Sequence, residues 1–255
     1  MSMRVIVSGD AVEMGQVAAA AAADALRAAV AAGGRARLLL STGRSQLTTL
    51  EALIREEVPW ASVEAFHLDE YVGLPASHPA SFRRYLAERF AARVPLAAMC
   101  YVDTEGDLAD RIRALSEAVR RAPIDVGLVG IGENGHLAFN DPPADFGTSA
   151  AFTVVELAES CRRQQVGEGW FERLAQVPQR AITMTVPEIL RCRVILSAVP
   201  YAVKAEAVRR ALSDPVGPDL PATALRTHAD ATLFLDRESS RLLPPGAAEG
   251  ASPGA

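Results

Sequence analysis

Val126-Gly127-Leu128-Val129 runs directly into Gly130-Ile131-Gly132-Glu133-Asn134-Gly135-His136-Leu137-Ala138-Phe139-Asn140-Asp141. A short apolar run that stops at glycines predicts a buried strand ending in a turn. Glycine lets backbone approach a ligand closely, so such turns at strand ends are common binding sites. This turn carries an imidazole, a carboxamide and a carboxylate within eight residues. The imidazole can move a proton near neutral pH, and a neighbouring carboxylate can fix its tautomer.

Outward from this block, aliphatic runs alternate with helical patterns. Strands are predicted at 3–8, 37–40, 63–68, 124–129, 193–199 and 231–235. Between them lie an alanine-rich helix from Asp10 to Gly33-Gly34, a helix reaching about Arg55, and one from Ser81 to about Ala92. Two more cover Asp107–Arg121 and 202–212. Strands separated by helices imply βαβ units and a parallel sheet. The expected fold is therefore a Rossmann-like α/β domain, mostly parallel, with helices on both faces, over residues 1–242. Residues 243–255, rich in Pro, Gly and Ala, are expected to be a disordered tail.

Composition narrows the function. The chain has 255 residues, 49% of them hydrophobic, enough to bury one large core, and a net charge of −5. Its charges are scattered rather than clustered, which argues against a nucleic-acid partner. The apolar stretch around 17–32 is broken by Asp24 and Arg27, which argues against a membrane span. No signal-peptide pattern opens the chain, and three widely spaced cysteines suit reduced thiols, so a cytoplasmic protein is expected. Association into homo-oligomers is left open. Of 26 basic residues only Lys204 is a lysine. A lysine kept against that bias suits a place that needs a compact ammonium.

In open parallel sheets, ligands sit beyond the carboxyl ends of the strands. Four polar segments fall there: 41–45, 67–71, 133–141 and the segment leading to Lys204. Ser41-Thr42-Gly43-Arg44-Ser45 joins a strand to a helix start, where N–H groups, hydroxyls and the helix dipole favour a phosphate. It lacks the Gly-Lys-Ser/Thr ending of a nucleotide loop. Asp69 and Glu70 are adjacent, so they cannot point the same way; one can reach the cleft as a base while the other orients a neighbour or faces solvent.

Leu68-Asp69-Glu70-Tyr71-Val72-Gly73-Leu74, His78-Pro79-Ala80-Ser81-Phe82-Arg83, the Gly130–Asp141 block and Val203-Lys204-Ala205-Glu206-Ala207-Val208 resemble one known family. It is the glucosamine-6-phosphate deaminase/6-phosphogluconolactonase superfamily, and the resemblance runs from Met3 to about Asp236. The Asp-Glu-Tyr-Val-Gly and His-Pro-x-Ser segments resemble its deaminase branch; lactonases tend to carry arginine where Tyr71 stands. The resemblance implies conversion of an amino sugar 6-phosphate to a ketose 6-phosphate and ammonia, with no metal or organic cofactor. Asp69 is implied as the base that shuttles a proton between C2 and C1, and His136 as the group that opens the ring. Asn134 and Asp141 join them as catalytic candidates. Ser41, Thr42, Gly43, Arg44, Ser45, Arg162 and Lys204 are implied as the phosphate-binding set, with Arg163 a rival to Arg162.

The chain departs from the deaminase pattern at Asn134, at Asp141 and after Gly43, positions where Asp, Glu and Thr-Pro are usual. An amide can orient an imidazole but cannot stabilise imidazolium by charge, a loss of roughly 1–3 kcal/mol. The alternatives are hydrolysis of 6-phosphogluconolactone, with His136 activating water, and a sugar-phosphate sensor like the effector domains of some transcriptional regulators. A first strand starting by Met3 leaves the sensor little room for a DNA-binding segment.

Overall fold

The computed structural model describes residues 3–246 and 249–250. Its elements in chain order are β1 (Arg4–Ser8), α1 (Ala11–Gly33), β2 (Ala36–Leu40), α2 (Leu47–Leu53), β3 (Val63–His67), β4 (Asp69–Tyr71) and α3 (Phe82–Leu86). There follow β5 (Ala98–Cys100), α4 (Leu108–Arg120), β6 (Val126–Val129), β7 (Phe152–Glu156), α5 (Glu159–Gly167) and β8 (Arg180–Met184). The last are α6 (Val186–Ile189), β9 (Val194–Val199), α7 (Ala205–Ser213), β10 (Ala231–Asp236), α8 (Arg237–Ser240) and β11 (Glu249–Gly250).

Eight strands form a sheet in the order β11-β1-β10-β9-β6-β2-β3-β5, and every pairing in it is parallel. Alternation along the strands builds a core on each face. Leu38 and Leu40 pack with Met14, Ala18, Ala22 and Leu26 of α1, while Leu39 packs with Leu115 and Val119 of α4 and Val208 of α7. The alanine-rich face of α1 lets that helix lie close on the sheet. Asp10 caps it, accepting from the N–H groups of Val12 and Glu13, and Gly34 closes it in the left-handed conformation.

Two features depart from the expected plan. Asp69–Tyr71, expected as a polar segment after the third strand, instead forms the first strand of a separate antiparallel sheet, in the order β4-β8-β7. β4 has only three residues, and β8 is buried at four positions in a row, so neither shows the alternation of a half-buried strand. The expected tail also contributes to the fold: Leu243 packs against the main core, and Glu249–Gly250 pairs with Ile6 and Val7 of β1. Residues 247–248 and 251–255 of that tail lie outside the described residues. Among the described residues no helix is long and apolar enough to cross a membrane.

The topology positions the site. From β2 the chain runs to β3 and β5 on one side; from β6 it runs to β9 and β10 on the other. The loops after β2 and β6 therefore diverge, and a crevice opens at the carboxyl ends of the strands.

Candidate active site

That crevice holds a cavity open to solvent. Ser41, Thr42, Gly43, Ser45 and Lys204 line one end, and Asp69, Gly130, Gly132, His136, Gln165 and Glu168 line the rest, with Leu68, Phe82 and Phe139 as apolar walls.

Asp69 and Glu70 diverge as adjacent strand residues must. Glu70 is fully buried and structural: it accepts from the Tyr71 N–H (2.9 Å), the Ser81 hydroxyl (2.7 Å) and the Arg83 N–H (2.8 Å). It thereby fastens the start of α3. Asp69 turns into the cavity, and among the described residues its carboxylate has no hydrogen-bond partner. Burial, with the Glu70 charge beside it, pushes the Asp69 carboxyl well above the usual carboxylate range. A carboxylate so placed is a strengthened base. Neighbouring His67 is buried and held neutral, its pKa lowered to about 3 by burial and the Arg83 charge.

The opposite wall is the Gly130–Asp141 turn. Asp141 Oδ1 lies 3.3 Å from His136 Nδ1, close beside it but without an aligned hydrogen bond. Asn134 donates from Nδ2 to the same Asp141 oxygen (2.9 Å) and accepts the His136 backbone N–H (3.1 Å). The other Asp141 oxygen accepts the Ala158 N–H (2.9 Å). Burial raises the Asp141 carboxyl, but the adjacent His136 and the hydrogen bonds from Asn134 and Ala158 outweigh it and hold it below its ordinary value. The structure thus corrects the expected role of Asn134: it fixes Asp141, and Asp141 supplies the negative charge beside the imidazole. Gly132 is required here by close approach, since a Cβ would lie 2.2–2.4 Å from the His136 ring.

The two walls are tied together. Asn140 donates to the carbonyls of Leu137 (2.7 Å) and Met184 (2.8 Å), and the Phe139 N–H donates to Thr183 Oγ1 (3.0 Å). Thr183 in β8 pairs with Asp69 in β4, so one strand holds the base and the imidazole turn in register.

At the far end, Gly43 adopts φ 99°, open to glycine, and Gln46 pins the loop by donating to Ala198 O (3.1 Å) and Ser45 Oγ (3.1 Å). The buried Ser41 hydroxyl has no partner among the described residues. Lys204 is 3% exposed, and burial lowers its pKa against the opposing pull of Glu168 and Glu133. Among the described residues its ammonium makes no hydrogen bond or ion pair. A buried cation and unpaired hydroxyls beside a bent glycine loop are complementary to an anion.

Two expected phosphate ligands lie elsewhere. The Arg44 side chain is exposed and outside the cavity lining; only its N–H faces inward, 3.5 Å from Glu168 Oε2. Arg162 donates to the carbonyls of Leu174 (2.8 Å) and Val177 (3.2 Å), fastening α5 to the loop before β8. Its guanidinium satisfies backbone that has no sheet partner. Gln46, Asn140, Gln165 and Glu168 were not singled out in the sequence. Each is an amide or acid in a loop or short helix, and what it faces is set by contacts that the local sequence does not show.

Cys161 Sγ, His136 and Asp141 place ligand atoms within 4.8 Å of one another. Burial pushes the Cys161 thiol well up, and all three cysteines are free. The neutral thiol backs the imidazole–carboxylate pair.

The family profile described as glucosamine-6-phosphate isomerases/6-phosphogluconolactonase matches residues 9–234. A glucosamine-6-phosphate deaminase of Exiguobacterium sibiricum is 38% identical over 211 residues, 80% of each chain. Glucosamine-6-phosphate deaminase 1 of Bacillus subtilis is 33% identical over 240 residues, 91% of this chain and 96% of its own. A solved monomeric glucosamine-6-phosphate deaminase superposes with a TM-score of 0.87 at 32% identity, covering 94% of this chain and 100% of that one. The 6-phosphogluconolactonase of Trypanosoma brucei shares the fold, with a TM-score of 0.76 at 17% identity.

Proposed function

The chain belongs to the glucosamine-6-phosphate isomerase/6-phosphogluconolactonase family, and on that premise we propose that it is a glucosamine-6-phosphate deaminase. The observation that carries the reading is the unpartnered, buried Asp69 carboxylate in one cavity with His136, while the anion-complementary end lies at 41–45 and Lys204.

His136 moves a proton between the ring oxygen and O1, with the Asp141 charge stabilising the imidazolium as it forms. Asp69 then takes the C2 proton of the open sugar and returns it at C1, while O1 takes up the proton that the C2 ammonium gives up. The resulting C2 imine adds water and releases ammonia, leaving the ketone of fructose 6-phosphate. A substrate ammonium at C2 also favours the ionised form of Asp69, so binding readies the base. Ser41, Thr42, Gly43, Ser45 and Lys204 hold the phosphate; Arg44 contributes its backbone.

The lactonase reading needs no C2 base. The position where lactonases tend to carry arginine is here Tyr71, fully buried among Phe82, Phe139 and Phe171, so it offers no cation to the cavity. Reduced cysteines and a metabolic substrate fit a cytoplasmic enzyme. The test is release of ammonia and fructose 6-phosphate from glucosamine 6-phosphate; hydrolysis of 6-phosphogluconolactone with no ammonia release would refute the deaminase reading.

A further inference from the structure

Helix α5 lies along the cavity from one end to the other. Cys161, on its first turn, has its sulfur within 4.8 Å of the His136 and Asp141 ligand atoms. Glu168, which caps its end, puts Oε2 3.5 Å from the Arg44 N–H of the 41–45 loop. Gln165 falls between them, four residues after Cys161 and so on the same helix face. A helix rises about 1.5 Å per residue, so Gln165 stands about 6 Å along the axis from Cys161.

Its carboxamide is left over by the fold. Gln165 is 5% exposed and lines the cavity, its Oε1 is buried without a partner, and neither end of the amide is hydrogen-bonded among the described residues. The adjacent Gln164 shows the contrast: its Oε1 accepts the Glu133 N–H (3.1 Å) and its Nε2 donates to Glu168 (2.7 Å). Buried amides are normally satisfied, and one left bare beside a cavity marks a place where a ligand completes the bonding.

We infer that Gln165 is a specificity-determining residue whose carboxamide binds a hydroxyl in the middle of the sugar chain, at C3 or C4. This rests on the sugar-phosphate reading above, which sets C1 and C2 at the Asp69–His136 end and the phosphate at the 41–45 end. A hydroxyl can both donate to Oε1 and accept from Nε2. Because C4 configuration distinguishes gluco from galacto sugars, the same amide is placed to read it.

The experiment measures binding, so it does not depend on turnover. The wild type and Gln165→Met are titrated with 2-amino-2-deoxyglucitol 6-phosphate, which has no carbonyl to isomerise, with its 3-deoxy and 4-deoxy forms, and with inorganic phosphate. The wild type should bind one deoxy form at least about tenfold more weakly than the parent. Gln165→Met should bind that deoxy form and the parent alike, while inorganic phosphate binds both proteins within about twofold. A Gln165→Met protein that keeps the wild-type preference overturns the inference, as does a wild type indifferent to both hydroxyls. Equal loss of phosphate and sugar binding in the variant also overturns it, by making Gln165 a packing residue. A wild type that shows the preference yet releases no ammonia refutes the deaminase reading and leaves this one standing.

Discussion

Asp141 Oδ1 lies 3.3 Å from His136 Nδ1, while the Asn134 amide reaches Asp141, the Ser160 hydroxyl and the His136 backbone but not the imidazole. The carboxylate that serves the imidazole therefore comes from five residues after it, and the amide before it holds that carboxylate still. Asp141→Asn should lower kcat about 100-fold, within the range of general acid–base effects. Asn134→Ala, which frees Asp141 without discharging it, should cost about tenfold. Because its folded pKa lies below the ordinary 3.8, Asp141 adds stability above that value and loses it as pH falls through the folded pKa. The acid-unfolding curve of Asp141→Asn should lack that component.

Asp69→Asn should abolish ammonia release, by about 10³-fold or more, with phosphate-ester binding largely kept. The same change should stabilise the protein. Asp69 has a folded pKa raised above its unfolded value, so its ionisation costs stability as pH rises from the ordinary carboxylate range through the folded pKa. Thermal melts at pH 7 should show a higher Tm for Asp69→Asn and a smaller gap at pH 4. The acid limb of kcat/KM in the wild type should lie above pH 4.

Lys204→Met removes a buried, unpaired ammonium. KM should rise about 10- to 100-fold with a smaller change in kcat, while the Tm of the unliganded protein rises. Steady-state kinetics and a melt of the same preparation check both halves.

Gly132→Ala should displace the His136 ring, since the added Cβ meets it at 2.2–2.4 Å. Activity should fall by at least about tenfold, with circular dichroism unchanged.

Arg37 is a buried cation with a structural duty at the other end of the sheet. It pairs with Glu64 (3.0 Å), stacks on Phe66 and donates to the carbonyls of Ala118 (2.6 Å), Val119 (2.9 Å) and Ala122. Arg37→Met should destabilise by about 3 kcal/mol, lowering Tm by roughly 6–12 °C, with the kinetic constants of the folded enzyme unchanged.

Much of this was legible from residue pattern. The long apolar strands and the helix capped by Asp10 follow from periodicity and capping, and the crevice follows from strands that alternate with helices. The adjacency of Asp69 and Glu70 was enough to say that one faces the cleft. What escaped was set by distant partners. Nothing local says that β4 leaves the main sheet to pair with Thr183, or that Arg162 turns to Leu174 and Val177 instead of a phosphate. The duties of Asn134 and Asp141 exchange meaning only once the turn closes and brings Oδ1 to Nδ1. Gln165 and Gln164 are identical in type and adjacent, and only the fold shows which one is left unbonded.

The central claim is that Asp69 carries the C2 proton, and glucosamine 6-phosphate deuterated at C2 tests it most directly. The wild type should release ammonia with a primary isotope effect and leave part of the deuterium at C1 of fructose 6-phosphate, and Asp69→Asn should do neither while still binding phosphate esters. Undiminished turnover by Asp69→Asn, or turnover by the wild type insensitive to C2 deuteration even in a single-turnover experiment, would contradict the account.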